Sequence, residues 1–284
     1  NMRVSSFYLQ IFSSFFFSLL GMEIKILGEQ LITENIVFYR CFFGTVIVFS
    51  IIIFNKKSLK LFYTKNISLQ FSRALCGTIA MYFGYSALSL IPLAQASTIS
   101  FTKVFFVSIL ASLFLKEVIR KKVFISSLLG FIGLFLIINP TEFNNLYGSS
   151  LSIISAFFVA GGIICSSILM KTNKTITIIF YHSLFSTFIC LILFNTKLSL
   201  INFSEFLSLT LITVTAIIGQ FFNTLSYKSG EANITVIAGY TRILFSFSLG
   251  YLILNESLNE NFFYGAFFIL FSAFLVAKYY KKSN

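Results

Sequence analysis

The sequence predicts an all-α polytopic membrane protein of ten transmembrane helices arranged as two inverted five-helix repeats. Three observations lead there. Of the 284 residues, 57% are hydrophobic and 11% charged, where a soluble domain carries about 25% charged residues, so a water-soluble globule is excluded. Apolar runs long enough to cross a bilayer recur along the whole chain, and ten spans of about 20 residues leave only short loops and tails. Finally, segments of the first half reappear in the second.

Taken in order, the apolar runs bounded by charge or turn residues fall at about 5–26, 36–54, 69–90, 94–115, 123–138, 150–170, 175–194, 206–225, 232–254 and 262–277. The first lacks a small-residue cleavage site and runs into Glu23 and Lys25, so it counts as a span. Pro92 and Pro140 are the only prolines, and no stretch has the composition of a disordered linker.

The formal charge of +12 is topological and does not call for nucleic acid. With the N-terminus inside, Arg3, Lys56, Lys57, Lys60, Lys65, Lys116, Arg120, Lys121, Lys122, Lys171, Lys174, Lys228, Lys278, Lys281 and Lys282 all fall on the inner side. Lys197 alone sits in an outer loop. The positive-inside rule then places both termini in the cytoplasm of a bacterial inner membrane. Cys41, Cys76, Cys165 and Cys190 lie in apolar stretches with neither CxxC nor metal-ligand spacing, and read as packing residues. Neither a metal nor another cofactor is expected.

The internal repeat is read from three alignments. Phe101-Thr102-Lys103-Val104-Phe105-Phe106 lies on Tyr240-Thr241-Arg242-Ile243-Leu244-Phe245, Leu113-Phe114-Leu115-Lys116-Glu117 on Leu252-Ile253-Leu254-Asn255-Glu256, and Val37-Phe38-Tyr39-Arg40 on Ile179-Phe180-Tyr181-His182. The units are 1–139 and 140–284. Five spans per unit invert the second copy, and the charges agree, since the loop of Lys116, Arg120, Lys121 and Lys122 corresponds to one carrying Glu256 and Glu260 without a base. Inverted repeats mark many secondary transporters, because two equivalent halves can exchange conformations around a site near the midplane.

These residues resemble the drug/metabolite transporter superfamily in its ten-span form with two EamA-type repeats. Tyr39-Arg40, Ser72-Arg73-Ala74-Leu75, the run from Ala87 to Ala96, and Leu115-Lys116-Glu117 and Leu254-Asn255-Glu256 with their following glycines carry the likeness. Val37-Phe38-Tyr39-Arg40, Tyr82-Phe83-Gly84 and Tyr240-Thr241-Arg242 are also similar to S-adenosylmethionine uptake carriers of intracellular bacteria. Thr102-Lys103 replaces the superfamily's common mid-span proline. The resemblance implies alternating access by a helical bundle, without covalent chemistry or cofactor.

Function should lie where charge enters a span. Lys103 and Arg242 fall near the middle of theirs, where a cation costs roughly 2.5–3.5 kcal/mol on insertion scales and snorkelling to water is out of reach. Ala96 and Ser100 beside Lys103, and Thr235, Gly239 and Ser246 beside Arg242, leave room for a cavity at helical spacing. The two cations either converge on an anionic group or are held by backbone carbonyls. Arg40 and His182 occupy equivalent places, as site lining or as interfacial and packing residues; a single histidine rules out a multi-His centre. Arg73 reads as a headgroup or gate residue. Glu23 is the only acid inside a span, a salt-bridge partner for Arg40 or a proton carrier. Tyr82, Tyr85 and Tyr240 carry deep hydroxyls that need partners, and Gln220 and Asn223 are interhelical glue or selectivity contacts.

No phosphate loop, HExxH or nucleophile–histidine–acid set is present, and a chain without aspartate has few tools for acid–base catalysis. An enzyme is not expected. The predicted protein moves a small carboxylate-bearing or anionic metabolite (an amino acid, an organic anion or S-adenosylmethionine) by exchange or facilitated diffusion, surrounded by lipid, as a monomer or homodimer. The alternatives are an exporter of amphipathic or cationic drugs and a non-transporting membrane scaffold.

Overall fold

The computed structural model describes residues 2–54, 59–116, 143–228, 238–256 and 260–282, with Thr235 and scattered positions between 125 and 136. The described secondary structure is helical throughout. The helices are α1 (Met2–Leu27), α2 (Thr33–Phe54), α3 (Ile67–Leu88), α4 (Leu93–Ile99), α5 (Lys103–Leu110), α6 (Phe143–Leu169), α7 (Thr175–Phe194), α8 (Phe203–Ser226), α9 (Thr241–Leu252) and α10 (Glu260–Lys282). A 3-10 turn, Ser100–Thr102, joins α4 to α5, and a five-residue π turn, Ala111–Leu115, completes that span. The expected fifth span lies mostly outside the described residues.

Six of the described helices are long and apolar enough to cross a membrane, the spans being Tyr8–Leu27, Thr33–Phe54, Leu93–Leu115, Leu146–Leu169, Thr175–Lys197 and Phe203–Ser226. Helix is the form that satisfies every backbone group within one segment when no water is at hand. Many of the hydroxyls in these spans are satisfied in the same way. Thr45, Thr78, Thr98, Thr187 and Thr213 each donate to the carbonyl one turn back, at 2.6–2.9 Å.

The packing repeats under exchange of the two halves. α3 lies along α6 as α1 lies along α8, while α2 pairs with α7 and α4 with α9. The first two pairs are swapped by a pseudo-twofold axis, and the last two sit across it. Close approach is set by small residues: Ser13 donates to the Gly219 carbonyl at 2.9 Å across the α1–α8 seam, and Ser155 to the Ala80 carbonyl at 2.7 Å across the α6–α3 seam. This is the ten-helix fold of two inverted repeats.

Two repeated motifs have a backbone meaning. Lys116 and Asn255, which follow the aligned Leu115 and Leu254, are the non-glycine residues with positive φ among the described residues, at 55° and 51°. Each ends its span in a left-handed cap. After the second cap the chain folds back, and both Glu256 carboxylate oxygens accept from the Leu93 amide at 2.9 Å, capping α4 beyond Pro92. Lys25 of α1 completes the clasp, donating to Glu256 Oε1 at 2.6 Å and to the Ile91 carbonyl at 3.0 Å. A second ion pair, Lys197–Glu34 at 2.7 Å, ties α2 to the end of α7 at the same end of the bundle.

The two glutamates are about equally buried, but the Lys25 side chain is 25% exposed against 58% for Lys197, and Glu256 also caps α4, so the clasp is the stronger of the two pairs. Glu256→Gln removes an ion pair and part of a helix cap, and is expected to cost about 1.5–3 kcal/mol. Thermal unfolding of the detergent-solubilised chain should show a clearly lower Tm for Glu256→Gln than for Glu34→Gln.

Candidate functional site

The axial helices, α2 with α7 and α4 and α5 with α9, make the two ends of a cavity of about 220 Å³, with α1, α8, α3 and α6 as its side walls. At one end stand α2 and α7, which pack on each other and on α3 and α8; at the other stand α4, α5 and α9, which pack against α1 and α6. The cavity therefore lies along the pseudo-twofold axis.

Lys103 and Arg242 reach it from the second end. Each follows a local tightening of its helix: the Lys103 amide bonds the Ser100 carbonyl, and the Arg242 amide bonds the Gly239 carbonyl at 2.9 Å, both i to i−3. Such 3-10 segments inside a span re-aim the following side chains and often mark functional hinges. The aligned motifs thus encode one geometry twice. Serines of α1 hold the second break, Ser14 donating to the Gly239 carbonyl at 3.3 Å and Ser18 to the Arg242 carbonyl at 3.1 Å. Ser246 and Ser97 join α9 to α4 at 2.7 Å.

The Lys103 ammonium lies 4.4 Å from the Phe101 ring centroid, and the Arg242 guanidinium 5.8 Å from that of Phe17. Neither has an acidic partner among the described residues, and Arg242 Nε is buried with no hydrogen bond. No backbone carbonyl among the described residues is seen to accept from either side chain. An aromatic face returns only about 0.5–2 kcal/mol, less than the insertion cost of either charge.

Arg40, Arg73 and His182 form the opposite end. Arg40 donates to the Met81 sulfur and stands 5.7 Å from the Tyr85 ring centroid. Arg73 Nε donates to Ser166 of α6 at 2.7 Å, and at 6% exposure this residue is no headgroup contact. His182 packs on α3 at Gly77, one turn beyond Arg73, with its Nδ1 unpartnered. Arg40, His182 and Gln220 also share a small side pocket behind the main cavity.

Of the residues expected at the site, Lys103, Arg242, Arg40, Arg73, His182, Tyr85, Gln220 and Asn223 line one cavity. The Tyr85 hydroxyl is buried there without a partner. Asn223 accepts from Gln10 of α1 at 3.2 Å, so it ties the α1–α8 seam as well as lining the wall. Three others stand away from the cavity. Tyr82 meets Glu34 at 3.5 Å and stacks at 5.2 Å on Phe194, near the clasped end. Tyr240 stacks on Phe101 at 4.8 Å, with its hydroxyl towards Gly130. Glu23 faces α8, where Thr215 donates to it at 3.1 Å, and makes no ion pair with Arg40. Sequence reasoning missed Gln10, Ser166 and the serines of α1 and α6, which a chain this rich in serine does not single out.

A family model described as the EamA-like transporter family matches residues 5–139 and again 146–278. The chain is similar to the "Pseudopaline exporter CntI" of Pseudomonas aeruginosa, at 26% identity over 89% of this chain and 88% of that protein. It is also similar to an "S-adenosylmethionine uptake transporter" of Rickettsia conorii, at 25% identity over 87% of this chain and 83% of the other. A solved crystal structure shares the fold with a TM-score of 0.71 at 12% identity, covering 98% of this chain and 97% of that one.

Gly77 leaves the space that the His182 ring fills, since a methyl group there would overlap it. Gly77→Ala should therefore destabilise the bundle by about 1–3 kcal/mol through overpacking. In an His182→Ala background the same change should cost little, and the non-additivity of the thermal unfolding cycle measures the contact.

Proposed function

Because the chain belongs to the EamA-like transporter family, we propose that it is a secondary transporter whose cargo is a small carboxylate-bearing or otherwise anionic metabolite. One observation carries this reading: a cavity inside the bundle lined by Arg40, Arg73, Lys103 and Arg242, with no carboxylate on its wall among the described residues. Glu23, Glu34 and Glu256 are each turned to other partners. Four cations without counter-charge are costly in a low-dielectric interior, and an anionic cargo supplies what the protein withholds.

The units 1–139 and 140–284 would rock against each other, exposing the axial cavity first to one face and then to the other. Both termini lie in the cytoplasm of a bacterial inner membrane in this reading, following the basic loops. Relatives named for export of pseudopaline and for uptake of S-adenosylmethionine move small organic metabolites in opposite directions. Exchange or facilitated diffusion suits a cavity without an acid. A cationic drug finds no acidic partner on the same wall.

The reading is tested by thermal stability of the purified chain against amino acids, dicarboxylates, sugar phosphates, nucleotides, S-adenosylmethionine and cationic drugs. A ligand at 100 times its Kd adds about 2.7 kcal/mol. A carboxylate-bearing compound should raise the wild-type Tm, and Lys103→Gln and Arg242→Gln should each abolish the shift. Stabilisation by apolar cations alone, or an unchanged response in both variants, would overturn it.

A further inference from the structure

The cations do not form one cluster. Arg40, Arg73 and His182 come from α2, α3 and α7, and Lys103 and Arg242 from α5 and α9, so the charge stands at the two ends of the cavity. The end pairs do not pack on each other, being separated by the side walls α1–α8 and α3–α6. Among the described residues the rest of the lining is uncharged, and it mixes Phe17, Gly84 and Tyr85 with the amides of Gln10, Gln220 and Asn223. From this separation we infer that the cargo carries two anionic groups joined by a short uncharged spacer, one received at each pole. The inference rests on the reading of the chain as an anion transporter and specifies the class.

A single carboxylate bound to Lys103 and Arg242 leaves Arg40 and Arg73 uncompensated across the cavity. Their only polar contacts among the described residues are a thioether sulfur and one serine hydroxyl, neither of which carries charge. A second carboxylate on the cargo neutralises that pole. The side-wall aromatics Phe17 and Tyr85 each already lie against an arginine, 5.8 Å from Arg242 and 5.7 Å from Arg40, and a spacer of the cargo would run past them and the uncharged amides of the wall. A net-positive cargo has no acidic group to meet at either end among the described residues.

The test is equilibrium binding to the full chain in lipid nanodiscs at constant ionic strength. The probes are succinate, glutarate and adipate, each paired with the monocarboxylate of equal carbon number, and S-adenosylmethionine. At least one dicarboxylate should bind ten-fold or more tightly than its monocarboxylate. Arg73→Gln and Lys103→Gln should each bring the dicarboxylate down to the monocarboxylate level, with Arg40→Gln as the second variant of its pole should Arg73→Gln fail to fold. Equal affinity for the two series, or a dicarboxylate advantage that survives loss of the Arg40–Arg73 pole, overturns the two-pole inference and leaves the anion reading standing. Binding of S-adenosylmethionine with no binding of either anion series overturns the two-pole inference alone, and binding only of cations that lack a carboxylate overturns both.

Discussion

Everything in this bundle follows from the absence of water to satisfy a polar group at membrane depth. Backbone groups close within helices, and threonines and serines return to the carbonyl a turn behind or cross to a neighbouring backbone. Seen against that rule, the unpartnered buried groups stand out, and several of them line one cavity. Arg242 Nε, the Tyr85 hydroxyl and His182 Nδ1 belong to residues lining the axial cavity and lack partners among the described residues. A protein that satisfies a serine with a 2.7 Å bond across the α3–α6 seam has left these groups open where a ligand would meet them.

The inverted repeat explains why the open groups lie where they do. A pseudo-twofold exchange carries side-wall helices into each other but returns the axial pairs, α2 with α7 and α4 with α9, to their own place. The exchange reverses direction along the bundle, so a residue of one axial helix answers to the residue equally far along its partner, counted from the opposite face. Lys103 and Arg242 are such a pair, as are Arg40 and His182. In the proposed exchange between outward and inward states, the walls move while the axial residues continue to face the cargo.

Much of this was legible in the sequence because the relevant residues are expensive or repeated. Lys103 and Arg242 were conspicuous by charge at span centre, and the motifs around them proved to encode the same i to i−3 tightening. The aligned Lys116 and Asn255 turned out to be left-handed caps. What failed to show was partner choice. Tyr82 and Tyr240 suit a cavity as well as a packed interface, and their helix faces turn them to Glu34 and Phe101 instead. Glu23 and Arg40 look like a pair by charge and depth, yet Thr215 takes the carboxylate. The Lys25–Glu256 clasp joins residues from opposite ends of the chain, a separation no local pattern spans.

That clasp also reconciles two demands on charge. The basic loops around Lys65, Lys116 and Lys171 lie at one end of the bundle, and orientation requires the other end to stay poor in free cations. Lys25 and Lys197 are at that other end, and each is neutralised by a glutamate, Glu256 and Glu34. The same pairing holds α1, α4 and the turn after α9 together over the cavity. Separating them at this end would expose lysine and carboxylate to water rather than to lipid, so hydration replaces most of the lost attraction. In the proposed exchange between outward and inward states, an ion pair here would therefore open at less cost than an apolar seal of the same area, which loses its burial to water on every opening.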